Sequence, residues 1–264
     1  MDFRDEFKDS TIVITGACGV FGHWIATAFA QRGARLCLSD NRADALDALA
    51  ADLGATGPGH IHHVTELTDE ASIADLVSTV GAEWGAPDVV INNAGIYPSG
   101  FLLDIDAAEW DRIMDVNTRA PFLVAQGFAK AMIAEGKQGS IINISSGAAR
   151  KMRRSVVPYC VSKTALDRLT KGLALELAEY GIRVNIVEPG FAPGSKVSDI
   201  TPEHLEAVTG SIPLGRQSEP DDAPNAIMFL ASSLAEYVTG TSIAVDGGNS
   251  IGSLAVFQAK KKAL

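Results

Sequence analysis

Short apolar runs and longer stretches of helical periodicity alternate along this chain from end to end. The apolar runs are Thr11 to Thr15, Arg35 to Ser39, Ile61 to Val64, Asp88 to Ile91, Ser140 to Ile144, Arg183 to Val187 and Ser242 to Val245. Such alternation predicts an α/β fold: a mostly parallel seven-stranded sheet flanked by helices on both faces. Gly54-Ala-Thr-Gly-Pro-Gly59 reads as a loop between a helix and a strand rather than as a boundary. No internal repeat, low-complexity tract or linker breaks the pattern. With 264 residues, 47% of them hydrophobic, the chain can bury a sizeable core as one domain spanning 1–264, with 1–9 and 250–264 as peripheral tails.

The first apolar run leads into Gly16, Gly19 and Gly22, after which Trp24, Ile25, Ala28 and Phe29 fall at helical spacing. Glycines there let the backbone turn tightly and approach a pyrophosphate, which rests on the positive end of the following helix. A glycine triplet alone is a weak signal, and the strand-turn-helix setting strengthens it. The second run ends at Asp40, eighteen residues after Gly22. A carboxylate there can accept hydrogen bonds from a ribose diol and repels a ribose phosphate.

Tyr159 and Lys163 stand four apart in Tyr-Cys-Val-Ser-Lys. Pro158 can open a helix here, and Val161, Ala165, Leu166, Leu169, Leu173 and Leu177 give it an apolar stripe. On one helix face the ammonium lies beside the phenol and lowers its pKa, so that the phenol passes a proton near neutral pH. Tyr and Lys also meet by chance on many solvated helices, so the company of the pair decides. Upstream, Gly139 to Ser146 reads as a strand ending in two hydroxyls, at the edge where open sheets place ligands. Asn117 interrupts a helical stretch with an amide able to hold a water or a backbone carbonyl.

In this order the motifs resemble those of the short-chain dehydrogenase/reductase family, single-domain oxidoreductases of the Rossmann type. The resemblance runs from Thr11 to Gly248 through the glycine turn, Asn92-Asn-Ala-Gly95, Asn117, Ser146, Tyr159 with Lys163, Pro189-Gly190 and Val245-Asp-Gly-Gly248. It implies a doubly wound Rossmann fold and a catalytic tetrad: Tyr159 as acid/base, Ser146 orienting the substrate oxygen, Lys163 lowering the phenol pKa and holding the nicotinamide ribose, Asn117 positioning a relay water. It implies a cofactor site at Gly16, Cys18, Gly19, Val20, Phe21, Gly22, Asp40, Asn41, Glu66, Leu67, Asn93, Ala94, Gly95, Tyr159, Lys163, Pro189, Gly190 and Ala192, and no metal. Asp40 argues for NAD over NADP; Arg42 and Arg35 are the cations that could reach a phosphate instead. The implied reaction interconverts a secondary alcohol and a ketone, the cofactor supplying the hydride. A polyol or sugar, a hydroxysteroid-like alcohol and a 3-oxoacyl thioester all remain open as substrates. A non-catalytic nucleotide-binding sensor or a nucleotide-dependent transferase of the same fold is the alternative, and neither needs the tetrad. Relatives pair the helices around Ala107 to Glu135 and Pro158 to Tyr180 across a dyad, which implies a homodimer or homotetramer.

Departures from the family pattern are local. Val20 stands at a usual glycine, Gly19 comes one residue early, and Glu66 replaces a usual Asp beside the adenine. Gly194 and Ser195 fall where a Thr often bonds the nicotinamide carboxamide, and whether Ser195 substitutes is open. The 191–213 region carries the substrate loop, with Pro202 to Val208 as a helical lid. A net charge of -10 and 32 acidic residues argue against a nucleic-acid partner. The charged start is unlike a signal peptide, no run is long enough to span a membrane, and a cytoplasmic enzyme with a small-molecule substrate is expected. Cys18, Cys37 and Cys160 read as reduced thiols, and the adjacent His62 and His63 point to opposite faces of a strand. Arg150, Lys151, Arg153 and Arg154 either receive an anionic substrate or form salt bridges; salt bridging is the favoured reading.

Overall fold

The computed structural model describes residues 3, 6–55, 59–192, 194 and 201–254. Seven strands form one sheet: β1 (Thr11–Thr15), β2 (Arg35–Asp40), β3 (Ile61–Val64), β4 (Val89–Asn92), β5 (Gly139–Ile144), β6 (Ile182–Pro189) and β7 (Ser242–Val245). Their order is β3-β2-β1-β4-β5-β6-β7, and every pairing is parallel. The sheet is thus wholly parallel where a mostly parallel one was predicted. Between strands run α1 (Val20–Ala30), α2 (Ala43–Asp52), α3 (Glu70–Trp84), α4 (Ala107–Met114), α5 (Ala120–Ala134), α6 (Val157–Leu177), α7 (Pro202–Gly210) and α8 (Asp222–Ala231).

Because successive strand residues face opposite ways, each strand feeds two cores. Ile12, Ile14, Leu36, Leu38, Val89, Ile91, Ile142 and Ile144 pack with Ile25, Phe29, Leu46, Leu49 and Ile227 of α1, α2 and α8. Val13, Cys37, Val90 and Ile141 pack on the other face with Leu76, Val80, Phe128, Met132 and Ala174 of α3, α5 and α6. Full burial of such side chains contributes about 1.5–3 kcal/mol each. Phe3 and Phe7 join the first core, Phe7 meeting Phe29 edge-on at 4.8 Å between ring centroids. Phe3 and Phe7 are thus embedded, whereas Ile251 is exposed.

The direction in which successive strands are added reverses between β1 and β4, so the crossovers to either side leave a crevice at the carboxyl ends of these strands. The glycine turn, Asp40, Asn93, Ser146 and Pro189 all lie at that edge. Among the described residues no helix is long and apolar enough to cross a membrane.

Candidate active site

Gly16 adopts φ +63°, and a Cβ there would lie 2.6 Å from the Cα of Ala94. A Cβ on Gly22 would come within 2.2 Å of the Gly16 carbonyl, so these two glycines are required by packing. Gly19 is different: it opens α1 with no side-chain cap and no acid in the first turn. The first amides of α1, those of Val20, Phe21 and Gly22, accordingly lack intrahelical acceptors and face an anion-receptive end. This is the donor set a pyrophosphate needs, and a Cβ on Gly19 would find only the Gly16 carbonyl at 3.4 Å. Asn93 staples the turn, its Nδ2 donating to the carbonyls of Thr15 (3.1 Å) and Gly16 (2.9 Å). Ala94 N–H donates to Thr15 Oγ1, and Leu67 lines a small recess with Thr15 and Ala94.

Asp40 ends β2 only 7% exposed. Its Oδ2 accepts from Cys18 N–H at 3.1 Å, and its Oδ1 accepts from Arg42 Nε at 2.9 Å. Arg42, expected as a competitor of Asp40, is instead its partner. Burial first, then the Asp40 charge, pushes the Cys18 thiol up to about 11. Glu66 turns its carboxylate onto Thr68, whose N–H donates at 3.0 Å, and Asn41 Nδ2 reaches it at 3.4 Å. At the far side, a Cβ on Gly190 would lie 2.8 Å from the Cα of Asp246, with Pro189 closing β6 and Ala192 half-buried beyond it. Ser195 and residues 196–200 lie outside the described residues; within the loop region, α7 confirms a helix from Pro202.

Ser146 follows β5 and Tyr159 sits in the first turn of α6, with the Ser146 hydroxyl near enough to the phenol to lower its pKa. Ser146 Oγ also accepts from Ala148 N–H at 3.2 Å, which fixes its rotamer. Lys163 lies 5.8 Å from the Tyr159 ring centroid and donates to the Ile144 carbonyl at 2.8 Å. Burial pulls the Lys163 ammonium down to about 8. Burial also pushes the Tyr159 phenol up, opposed by the Ser146 hydrogen bond and the Arg153 charge. This direction is opposite to the one expected from the Tyr and Lys spacing. Both groups are desolvated, and Lys163 directs its hydrogen bond at a backbone carbonyl.

Asn117 is fully buried in a π-helical turn, Asp115–Arg119, joining α4 to α5. Its Oδ1 accepts from Ile96 N–H and its Nδ2 donates to the Ile96 carbonyl, both at 2.8 Å. Four residues on, Pro121 has no N–H, so the Asn117 carbonyl has no α-helical donor. Gly95 fits between: a Cβ there would stand 3.2 Å from Lys163 Nζ and 3.3 Å from Asn117 Oδ1.

Two features escaped the sequence reading. Tyr97 places its ring 5.9 Å from that of Tyr159, and its position just past the Asn92 to Gly95 motif at a strand end was the available signal. The other is the partner of Arg150, whose salt bridging was the favoured reading: it is Glu188, only 2% exposed. That bond ties the Ser146 turn to the strand before Pro189-Gly190, a contact of distant segments with no local signature. The histidines stay local: His62 Nε2 meets the Ala55 carbonyl, while His63 lies between Thr65 and Asp75.

A wholly parallel, doubly wound sheet with a glycine turn at its first crossover, and a Ser, Tyr and Lys cluster after the fifth strand, defines a Rossmann-type protein of the oxidoreductase class. The family model described as enoyl-(acyl carrier protein) reductase matches residues 16–250, and the chain belongs to the short-chain dehydrogenase/reductase family. It is 37% identical to galactitol 2-dehydrogenase (L-tagatose-forming) of Cereibacter sphaeroides, covering 95% of this chain and 100% of that protein. It is 35% identical to the 3-oxoacyl-[acyl-carrier-protein] reductase of Thermotoga maritima, over 92% and 98% of the two chains. Among solved structures, a gluconate 5-dehydrogenase from Burkholderia cenocepacia in complex with NADP and tartrate superposes with a TM-score of 0.87 at 30% identity, covering 95% of this chain and 100% of that one.

Proposed function

We propose that this protein interconverts a secondary alcohol and a ketone with a nicotinamide cofactor, NAD in preference to NADP. The observation that carries the reading is the convergence of Ser146, Tyr159 and Lys163 at the carboxyl edge of β5. The cofactor, when bound, accepts or donates the hydride. Tyr159 exchanges the proton with the substrate oxygen, and Ser146 holds that oxygen in line. Lys163 steadies the phenol and is the group nearest to reach a ribose hydroxyl. The Asn117 carbonyl, which Pro121 deprives of an α-helical donor, holds a water from which Lys163 is re-protonated. Arrangement at Asp40 supports NAD, although a relative in this family is NADP-bound. Relatives named for galactitol, sorbitol and 3-oxoacyl substrates keep polyols and acyl thioesters together with hydroxysteroids on the substrate panel. We assign the activity to residues 1–264 as one unit, acting in the cytoplasm as a homodimer or homotetramer. Half-exposed Leu169, Leu173 and Leu177 on α6, with Phe122 and Ile133 on α5, supply the apolar faces for that assembly.

The test is to follow reduced nicotinamide absorbance with NAD and NADP over polyols, sugars, hydroxysteroids and 3-hydroxyacyl thioesters. At least one class should turn over, and Tyr159→Phe should remove about three decades of that rate while cofactor affinity persists. A cofactor that binds while no class reacts would make the chain a sensor. Full activity in Tyr159→Phe would move the acid/base elsewhere.

A further inference from the structure

The basic run after Ser146 divides into three committed cations and one uncommitted. Arg150 pairs with buried Glu188. Lys151 donates to the backbone and side-chain oxygens of Asn249. Arg154 lies over the Phe101 ring, 5.1 Å from its centroid. Arg153 is exposed and, among the described residues, makes no ion pair or side-chain hydrogen bond. Exposure alone would leave it a solvated charge. Its location argues otherwise: the residues after it, Arg154 and Ser155, contact Phe101 and Gly100, in the loop whose Tyr97 packs against the Tyr159 ring.

The segment that carries Arg153 is held in place. Ser155 takes φ +65°, a left-handed conformation costly for a side chain, and its carbonyl accepts from Gly100 N–H at 2.8 Å. That bond joins the Arg153 loop to the loop of Tyr97 and Phe101. Tyr97 meets the Tyr159 ring, and Phe101 and Met152 on the two joined loops present apolar surface, being 54% and 65% exposed. A guanidinium fork at the end of an apolar wall matches a planar or tetrahedral oxyanion.

We infer that Arg153 receives an acidic group of the substrate, so that the preferred alcohol bears a carboxylate or phosphate beyond a short apolar stretch from its reacting carbon. The inference rests on the oxidoreductase reading above and adds the charge of the substrate. It is tested on the full-length protein with matched pairs: a hydroxy acid against its methyl ester, and a polyol against its phosphate ester. In one arm the charged member should be preferred in kcat/KM by about tenfold or more. Arg153→Gln should erase that preference by costing the charged member about tenfold more in kcat/KM than the neutral member, while Lys130→Gln on α5 leaves the preference intact. Parity in both arms, or a preference that survives Arg153→Gln, overturns the inference and leaves the dehydrogenase reading standing. Should no alcohol react, calorimetry with saturating NAD decides, comparing succinate and glycerol 3-phosphate with 1,4-butanediol. Anion binding weakened about tenfold by Arg153→Gln upholds the role of the residue; no anion binding, or none lost, refutes it.

Discussion

Replacing Asp40 by Ser tests the adenosine end of the site and has a calculable effect. Asp40 is 7% exposed and accepts three hydrogen bonds from Arg42, from Nε at 2.9 Å and from N–H and Nη2 at 3.3 Å. A 2′-phosphate that recruited Arg42 would leave this buried carboxylate with little more than the Cys18 N–H. NAD makes no such demand, and its ribose hydroxyls can donate to the same oxygens. Charged hydrogen bonds contribute about 1.5–3 kcal/mol each, and the Arg42 side chain is 48% exposed, so solvent screening reduces that figure. The net preference should be about 2 to 4 kcal/mol, or one and a half to three decades. Asp40→Ser removes the acceptor and frees Arg42 for a phosphate, so the NAD over NADP ratio of kcat/KM should fall by at least about tenfold. Initial rates with each cofactor at a saturating alcohol measure it, and a loss of folded protein cancels in the ratio. The double variant Asp40→Ser, Arg42→Ala should lose the NADP gain, a coupling of about 1 kcal/mol or more. A ratio that stays put, or a wild-type enzyme that uses NADP equally well, refutes the reasoning.

Lys163 ties stability to pH. Its ammonium is lowered from 10.5 to about 8, so between these values the unfolded chain binds a proton that the folded chain has released, and stability rises with pH. From pH 8 to 9.5 urea unfolding should register a Lys163 contribution of about 2 kcal/mol, absent from Lys163→Met; equal slopes in the two proteins would contradict it. The raised Tyr159 phenol acts in the other direction, lowering stability once the pH passes the ordinary phenol value of 10. Gly95→Ala should crowd Lys163 and Asn117 by a few tenths of an ångström and lower kcat by about tenfold, with a stability loss near 1 kcal/mol; unchanged turnover would show the spacing to be slack. Light scattering at micromolar concentration should give a multiple of the 27.7 kDa chain mass, and a monomer mass would exclude the assembly assigned to α5 and α6.

Much of this was legible in the residues. Each strand announced itself as an apolar run bounded by turn residues, and the parallel arrangement followed from the helical stretches between them. β4 begins one residue later than expected because Asp88 is used as an acceptor, taking Thr11 N–H at 2.7 Å and pairing with Lys137. Along α6 the leucine stripe is mostly half-buried, while Cys160, Ser162, Lys163, Thr170 and Ala174 occupy the inner face with Leu166. Small and polar residues lie inward there because the first turns of that face border the candidate site, while Ala174 farther along packs into the second core, a division hydrophobic periodicity does not distinguish. Asn117, Ser146, Tyr159 and Lys163, the four positions proposed as the tetrad, were legible through the order of motifs that carries the family resemblance. Their protonation tendencies were not, since desolvation depends on neighbours far away in sequence. The π turn had one local cue, Pro121 four residues after Asn117.

The strand order also arranges how the molecule comes into being. β1, β2 and β3 are adjacent in the sheet and are supplied by the first 64 residues, so this half of the sheet can assemble on the ribosome while β4 to β7 are still untranslated. The nascent chain then presents the open side of β1 until Val89 to Asn92 emerges, and β5, β6 and β7 are added outward in the order of synthesis. A pause in translation between Val64 and Val89 leaves β1, an interior strand of the finished sheet, as an edge, and this window is where a newly made chain is most exposed to pairing with the wrong neighbour.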